Sequence, residues 1–246
     1  MNAAVVNVFG QNPQYQSFAD PVAQDGEVLV AVRAAGLHPI VKGRASGTHY
    51  SSDGIVPMVP GVDGVGTLED GRRVYFGSTR APFGTMAERT VANAAMCLTV
   101  PDGVSDADAA GMANPAMSSW AALTVRAKFV AGESVLILGA TGVAGQMAVQ
   151  IAKRLGARRV VAAGRNPEAL EELKRLGADA VIPLEQHRET LVSAFRAEIA
   201  GDGVDVVLDY LWGGPAESLL AARKACLALC RAACTATCAA RARSAW

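Results

Sequence analysis

Gly139, Gly142 and Gly145 recur at every third position in the stretch Ser134 to Arg154, SVLILGATGVAGQMAVQIAKR. That spacing lets a backbone bend tightly, turn its N–H groups outward and pack a helix closely on a strand. Val135 to Leu138, just before it, are apolar throughout, which predicts a strand buried on both faces of a parallel sheet. The residues after it keep a helical apolar period, and the N-terminus of such a helix favours an anion. The chemistry this points to is the binding of a pyrophosphate, with Thr141, Gly142 and Val143 holding it and Gly139 and Gly145 shaping the turn. The order G-x-x-G-x-x-G differs from the usual G-x-G-x-x-G. The strand before it, the helix after it and a second strand beyond supply the context a dinucleotide site requires.

A dinucleotide is read a second time at the end of the next strand. There an NAD site places an acidic residue for the ribose 2′-hydroxyl, whereas this chain has Gly164, Arg165 and Asn166. A guanidinium is planar, permanently charged and able to donate two hydrogen bonds at once, so it suits a 2′-phosphate. Arg165 and Asn166 are therefore assigned to NADPH. The competing use of the pair is ordinary: Arg165 as a solvated charge, and Asn166 as the cap of a helix that opens with Pro167. No metal site is assigned. Cys226, Cys230, Cys234 and Cys238 are spaced by four, and ligands along one straight helix cannot surround a zinc ion tetrahedrally.

The elements that must position these residues follow from pattern and composition. The chain has 246 residues, of which 51% are hydrophobic, enough for a substantial core. Its 23 basic residues balance 23 acidic ones, so no global field recruits nucleic acid or a membrane surface, and small molecules are the expected partners. No segment has the apolar length of a membrane span and none reads as a leader, so a cytoplasmic location is expected. From Met1 to about Pro101 no helical period is sustained. Strands are expected at Ala3 to Val8, Glu27 to Ala34, Gly64 to Leu68, Arg72 to Phe76 and Met86 to Ala92, with Asp-Gly turns at Asp25, Asp53 and Asp70. This predicts a partly open β-barrel. Ser105 with Asp108 forms a capping box ahead of one helix ending at Pro115, and a second helix is expected from Met117. The domain boundary is placed inside these helices, giving a first domain over 1–120.

Residues 121–222 read as regular βα alternation, with strands at Arg159 to Ala163, Ala180 to Ile182 and Val204 to Leu208 and helices between them. The fold class is α/β: a β-barrel module followed by an incomplete doubly wound (Rossmann) parallel sheet. After Leu220 the sequence becomes AARKACLALCRAACTATCAARARSAW, with no strand or turn pattern. The fifth and sixth strands of a dinucleotide fold are not evident there. Residues 223–246 are read as an aberrant tail, the product of a frameshift or truncation.

Ala34 to Tyr50, AAGLHPIVKGRASGTHY, and Pro57 to Gly66, PMVPGVDGVG, precede the linking helices and the glycine turn. In that order these motifs resemble the medium-chain dehydrogenase/reductase superfamily, and most closely its zinc-free quinone oxidoreductase (zeta-crystallin-like) branch, from Ala3 to about Leu220. The resemblance implies a GroES-like first module, an NADPH-binding second one, and hydride transfer to a quinone or α,β-unsaturated carbonyl, with a homodimer expected for an intact C-terminus. It implies a cofactor-facing hydroxyl at Ser118, whose alternative use is as a helix N-cap. It places a hydrogen-bond donor to substrate at His49 or Tyr50, against the alternative of an idle exposed loop. It sets the Asp209 to Trp212 loop, with Leu211, beside the nicotinamide. Where zinc-dependent relatives carry Cys and a Gly-His-Glu, this chain has His38 and Gly61-Val62-Asp63; a lone His38 cannot hold a catalytic zinc, and Asp63 is given no role. The rival reading is a defective or non-catalytic chain that at most binds the cofactor.

Overall fold

Residues 1–233 and 243–245 are described by the computed structural model. They divide into two compact units, Met1–Asn114 and Pro115–Trp246.

The first unit is built of short antiparallel strands. β1 (Asn2–Val5) pairs with β2 (Gln14–Ser17), and β3 (Glu27–Ala35) is followed by α1 (Pro39–Ala45). β4 (Asp63–Leu68), β5 (Arg73–Gly77), β6 (Arg89–Asn93) and β7 (Leu98–Thr99) join β3 in a sheet of order β6-β3-β4-β5-β7. Bridges from Ala3 to Ala87 and from Val6 to Met58 tie the hairpin to the rest, as a partly open barrel requires. Val30, Val74 and Phe76 fill its interior, fully buried. Turns form at Asp25-Gly26 and Asp70-Gly71 as expected; Gly54 is also at positive φ, but Asp53-Gly54 is not part of an assigned turn. Three of these elements were not legible, and β7, only two exposed residues long, is the shortest of them. β2 is almost entirely exposed and so carries no alternation. α1 contradicts the expectation of no helix: it begins at Pro39, and with only Val41 buried over seven residues it leaves no apolar period to detect.

The linking region also differs from expectation. Ser105 and Asp108 do make the capping box, with Asp108 N donating to Ser105 Oγ at 3.0 Å and Ser105 Oγ to Asp108 Oδ2 at 2.7 Å. But α2 (Asp106–Ala121) is one helix that runs through Pro115 and into a π-helical turn, Ala122–Arg126. Proline removes one helical N–H, yet Ser119 and Leu123 beyond it are fully buried, and that packing holds the helical course. The division between the units falls at this proline.

The second unit is a parallel sheet with helices on both faces. β8 (Ser134–Leu138), α3 (Val143–Arg154), β9 (Arg159–Gly164), α4 (Pro167–Arg175), β10 (Ala180–Pro183), α5 (Arg188–Ala200), β11 (Val206–Asp209) and α6 (Gly214–Ala233) alternate along the chain. The strand order is β10-β9-β8-β11, extended beyond β11 by a short β12 (Arg243–Ala245). Every residue of β8 is buried, as its unbroken apolar run predicts. Val135, Ile137, Val160 and Ala162 face Val149, Leu170 and Leu173 of α3 and α4, while Leu136, Leu138 and Val161 face Leu191 and Phe195 of α5 and Leu219 of α6.

Two features of the structure fall within the segment read as an aberrant tail. α6 passes through position 223 without interruption, and Arg243–Ala245 pairs in parallel with β11 where no strand was expected. An Ala-rich segment supports a helix, and the open flank of β11 offers a ladder of backbone groups to a passing strand. Cys234 and Cys238 lie outside the described residues.

Candidate functional site

The glycine turn is shaped by three different constraints. Gly139 has φ +83°, a left-handed conformation, and a side chain there would press on Leu211 Cγ at 3.0 Å and Tyr210 Cβ at 3.2 Å. Gly145 lies inside α3, and a Cβ on it would fall into the backbone of Gly139 and Ala140. It is what lets the helix lie against the turn. Gly142 is under neither constraint: its φ is −78°, and an added Cβ would meet only Gly139 O, at 3.7 Å. Gly142 is the N-cap of α3, with no side chain to satisfy the N–H groups of the first turn. The open volume beside it and the uncapped helix N-terminus fit a phosphate. Thr141 is seated by Gly164, since a Cβ on Gly164 would overlap Thr141 Cγ2, and Gln146 Nε2 donates to Thr141 O at 3.1 Å. Val143 opens the helix with its side chain exposed.

At the end of β9, Arg165 and Asn166 line a shallow depression together with Pro167, Glu168 and Glu185. Arg165 makes no hydrogen bond or ion pair among the described residues, so its guanidinium is available to a ligand. Asn166 is used as a cap, its Oδ1 accepting from Ala169 N at 3.0 Å. Its amide nitrogen remains for a ligand. The two carboxylates in the depression temper the positive charge of Arg165, a feature the sequence reading missed because Glu185 comes from the loop after the next strand.

Ser118 is not a helix N-cap. It lies in the body of α2, and its Oγ donates to Pro115 O at 2.7 Å and sits 3.3 Å from Tyr210 Oη. Tyr210 follows β11 directly, and its backbone N–H donates to Leu138 O at 3.1 Å. Beside it the 209–213 loop is pinned by Asp209, whose Oδ1 accepts from Leu211 N at 2.8 Å and Trp212 N at 3.0 Å. Trp212 is held at φ +58°, a strained conformation for a bulky residue. Leu211 and Tyr210 thus pack directly on Gly139. Tyr210 belongs to the Asp209 to Trp212 loop singled out in the sequence, and it stands at the carboxyl end of a parallel strand.

In the first unit, His49 is a positioned side chain. Its backbone N–H donates to Gly43 O at 3.1 Å, and Gly43 leaves room for it, its absent Cβ standing 3.2 Å from His49 Cβ. Ser51 N donates to His49 Nδ1 at 3.2 Å and Ser51 Oγ lies 2.8 Å from the same atom. With Nδ1 accepting, the neutral ring carries its proton on Nε2, as a donor. Tyr50 stacks on His49 with centroids 4.3 Å apart, but is 95% exposed.

His38 has a carboxylate partner in the fold. Its Nε2 lies 3.2 Å from Asp63 Oδ2, which also accepts from Tyr75 Oη at 2.7 Å. Burial, and then the bond to Asp63, push the Tyr75 phenol well above its usual range. His38 and Asp63 come from separate segments brought together by α1 and β4, so Asp63 has the partners its turn sequence did not suggest. Among the described residues, no three His, Cys, Asp or Glu side chains gather as a metal site would need.

Comparison with known proteins places this geometry among relatives. A family model described as zinc-binding dehydrogenase matches residues 143–225. The chain is 32% identical over 178 residues to the chloroplastic NADPH-dependent alkenal/one oxidoreductase of Arabidopsis thaliana, covering 66% of this chain and 46% of that protein. It is 30% identical over 204 residues to the quinone oxidoreductase of Homo sapiens, covering 78% of this chain and 60% of that protein. The chain therefore spans about half the length of the curated relatives it matches. Among solved structures, the quinone oxidoreductase of Thermus thermophilus, described with its NADPH complex, superposes with a TM-score of 0.77 at 31% identity, covering 90% of this chain and 70% of that one.

Proposed function

We propose that this chain, which belongs to the zinc-free quinone oxidoreductase branch of the medium-chain dehydrogenase/reductase superfamily, is an NADPH-dependent oxidoreductase acting on a quinone or an α,β-unsaturated carbonyl. The observation that carries the reading is the uncapped N-terminus of α3 beside an unobstructed Gly142, on the same sheet as Arg165, which has no partner among the described residues. Relatives described as NADPH-dependent or solved with NADPH support it. Gly139, Thr141, Gly142, Val143 and Gly145 form the pyrophosphate cradle, Arg165 and Asn166 receive the 2′-phosphate, and Ser118 and Leu211 border the nicotinamide. The reduced nicotinamide would supply hydride, leaving the protein to place it and to stabilise charge. His49, with its proton on Nε2, is the better-positioned donor to a substrate oxygen. Tyr50, almost fully in solvent, is the weaker one.

Titration of NADPH and NADH against the chain and its Arg165→Ala variant tests the reading. The variant should lose about ten- to a hundredfold in NADPH affinity, with NADH little changed, because a charge-assisted contact is lost. Equal affinities for the two nucleotides in the unsubstituted chain would overturn the assignment. Tight NADPH binding with no turnover on a quinone or an enone would favour the non-catalytic reading instead.

A further inference from the structure

Tyr210 stands where the strand order of the sheet reverses. β8 has β9 on one side and β11 on the other, and ligands of doubly wound sheets enter outside the carboxyl ends of such strands. Its ring packs on the α3 face of the sheet, in the cluster that holds Leu123 and Val149, so its hydroxyl lies on the same face as the helix whose N-terminus forms the cradle. Ser118 is exposed and Tyr210 half-buried, so both hydroxyls are within reach of a ligand.

The protons of this pair can be counted. Ser118 has one, and the 2.7 Å bond to Pro115 O uses it. In the 3.3 Å contact between the two hydroxyls, Tyr210 is therefore the donor and Ser118 Oγ the acceptor. Both protons then run inward along Tyr210 Oη, Ser118 Oγ and Pro115 O, and what the pair presents outward is lone pairs. A ligand group that meets it must bring a proton. At the reacting end of a nicotinamide dinucleotide, the carboxamide amine does so, while its carbonyl oxygen would face two acceptors. We infer that Tyr210 Oη accepts a hydrogen bond from the carboxamide amine of the nicotinamide, with Ser118 fixing the direction of the Tyr210 hydroxyl. Tyr210 is then a positioning residue that selects one face of the ring by orienting its amide. This rests on the dinucleotide reading above.

The test compares NADPH with its reduced 3-acetylpyridine analogue, in which a methyl group replaces the amine, by measuring both dissociation constants in the full chain, in Tyr210→Phe and in Ser118→Ala. Tyr210→Phe should weaken NADPH by about three- to tenfold, the worth of one neutral hydrogen bond, and leave the analogue's affinity unchanged. Ser118→Ala should weaken NADPH selectively too, since it frees the Tyr210 proton to turn outward against the amine. A melting midpoint within about 2 °C of the unsubstituted chain identifies folded variants, as expected for loss of one half-exposed hydroxyl. Equal losses for both nucleotides in folded variants, as a ribose hydroxyl donor would give, or no loss for either, overturn the inference while sparing the cofactor reading. If the unsubstituted chain binds neither nucleotide, the cofactor reading itself fails. If Tyr210→Phe does not fold, Ser118→Ala decides by the same selectivity.

Discussion

Replacing Gly142 and Gly145 separately by alanine should divide binding from stability, because the two glycines are required for different reasons. At Gly145 the new methyl would fall into the Cα of Ala140 and the carbonyl oxygen of Gly139, both backbone atoms that cannot swing aside. Either α3 lifts from the turn or the turn shifts. Overpacking of this kind costs about 3 kcal/mol, which for a chain of this size lowers the melting midpoint by roughly 6–12 °C. At Gly142 the methyl would make ordinary contact with Gly139 O at 3.7 Å, with φ at −78° needing no adjustment. The reduced entropy of the unfolded chain stabilises by about 0.4–1 kcal/mol, and the poorer N-cap offsets a similar amount. Gly142→Ala should therefore melt within about 2 °C of the unsubstituted chain. Its methyl nevertheless stands where a phosphate must approach the first-turn N–H groups. Losing one or two charge-assisted bonds there should weaken NADPH by about a hundredfold. Thermal melts followed by dichroism, with NADPH titrations on the same samples, make the comparison. If Gly142→Ala binds NADPH like the unsubstituted chain, or melts lower than Gly145→Ala, the reasoning about the turn is wrong.

Other outcomes follow from single contacts. Asp179 Oδ2 accepts from Lys153 Nζ and Val160 N, both at 2.6 Å, joining the end of α3 to the start of β9. Burial alone would raise its carboxyl, but those two partners and the charge of Arg159 outweigh it and hold it below the usual range. A depressed carboxylate contributes stability that is present above its unfolded value and lost as pH falls through its folded one. Asp179→Asn should thus lower the midpoint by about 2–4 °C at neutral pH, and the gap should close below about pH 4, which melts at a series of pH values will show. In turnover assays with a quinone and an enone, His49→Gln should lower kcat by about a hundredfold or more with little change in NADPH affinity, while Tyr50→Phe should be neutral. Full activity of both variants would return the loop to a surface role.

The features legible in the sequence are those that depend on near neighbours. The strand Val135 to Leu138, the glycine turn, the capping box at Ser105 and Asp108 and the Asn166 cap all appear where periodicity and short-range hydrogen bonding put them. Each involves residues within a few positions, so its energetics are written locally. α1 escaped because seven residues with one buried side chain carry no period, and the break expected at Pro115 did not form because buried residues beyond it outweigh one missing N–H. The place of Arg165 and Asn166 at the end of β9 was likewise readable, but their surroundings were not, since Glu185 reaches the same depression from another loop.

What the sequence by itself determined is therefore the alternation of elements, their caps and the turn that can receive an anion. Tertiary structure alone decided which polar groups meet. Ser134 and Asp205 show this at the foot of the sheet: Asp205 Oδ2 accepts from Ser134 N at 2.8 Å and Ser134 Oγ at 2.9 Å, setting β11 beside β8 across 71 positions of chain. The pairings of His38 with Asp63 and of Ser118 with Tyr210 are of the same kind. Periodicity records which face of an element is apolar. It carries no record of which distant donor will fill a given acceptor, because that is settled by how the sheets pair and how the helices pack on them.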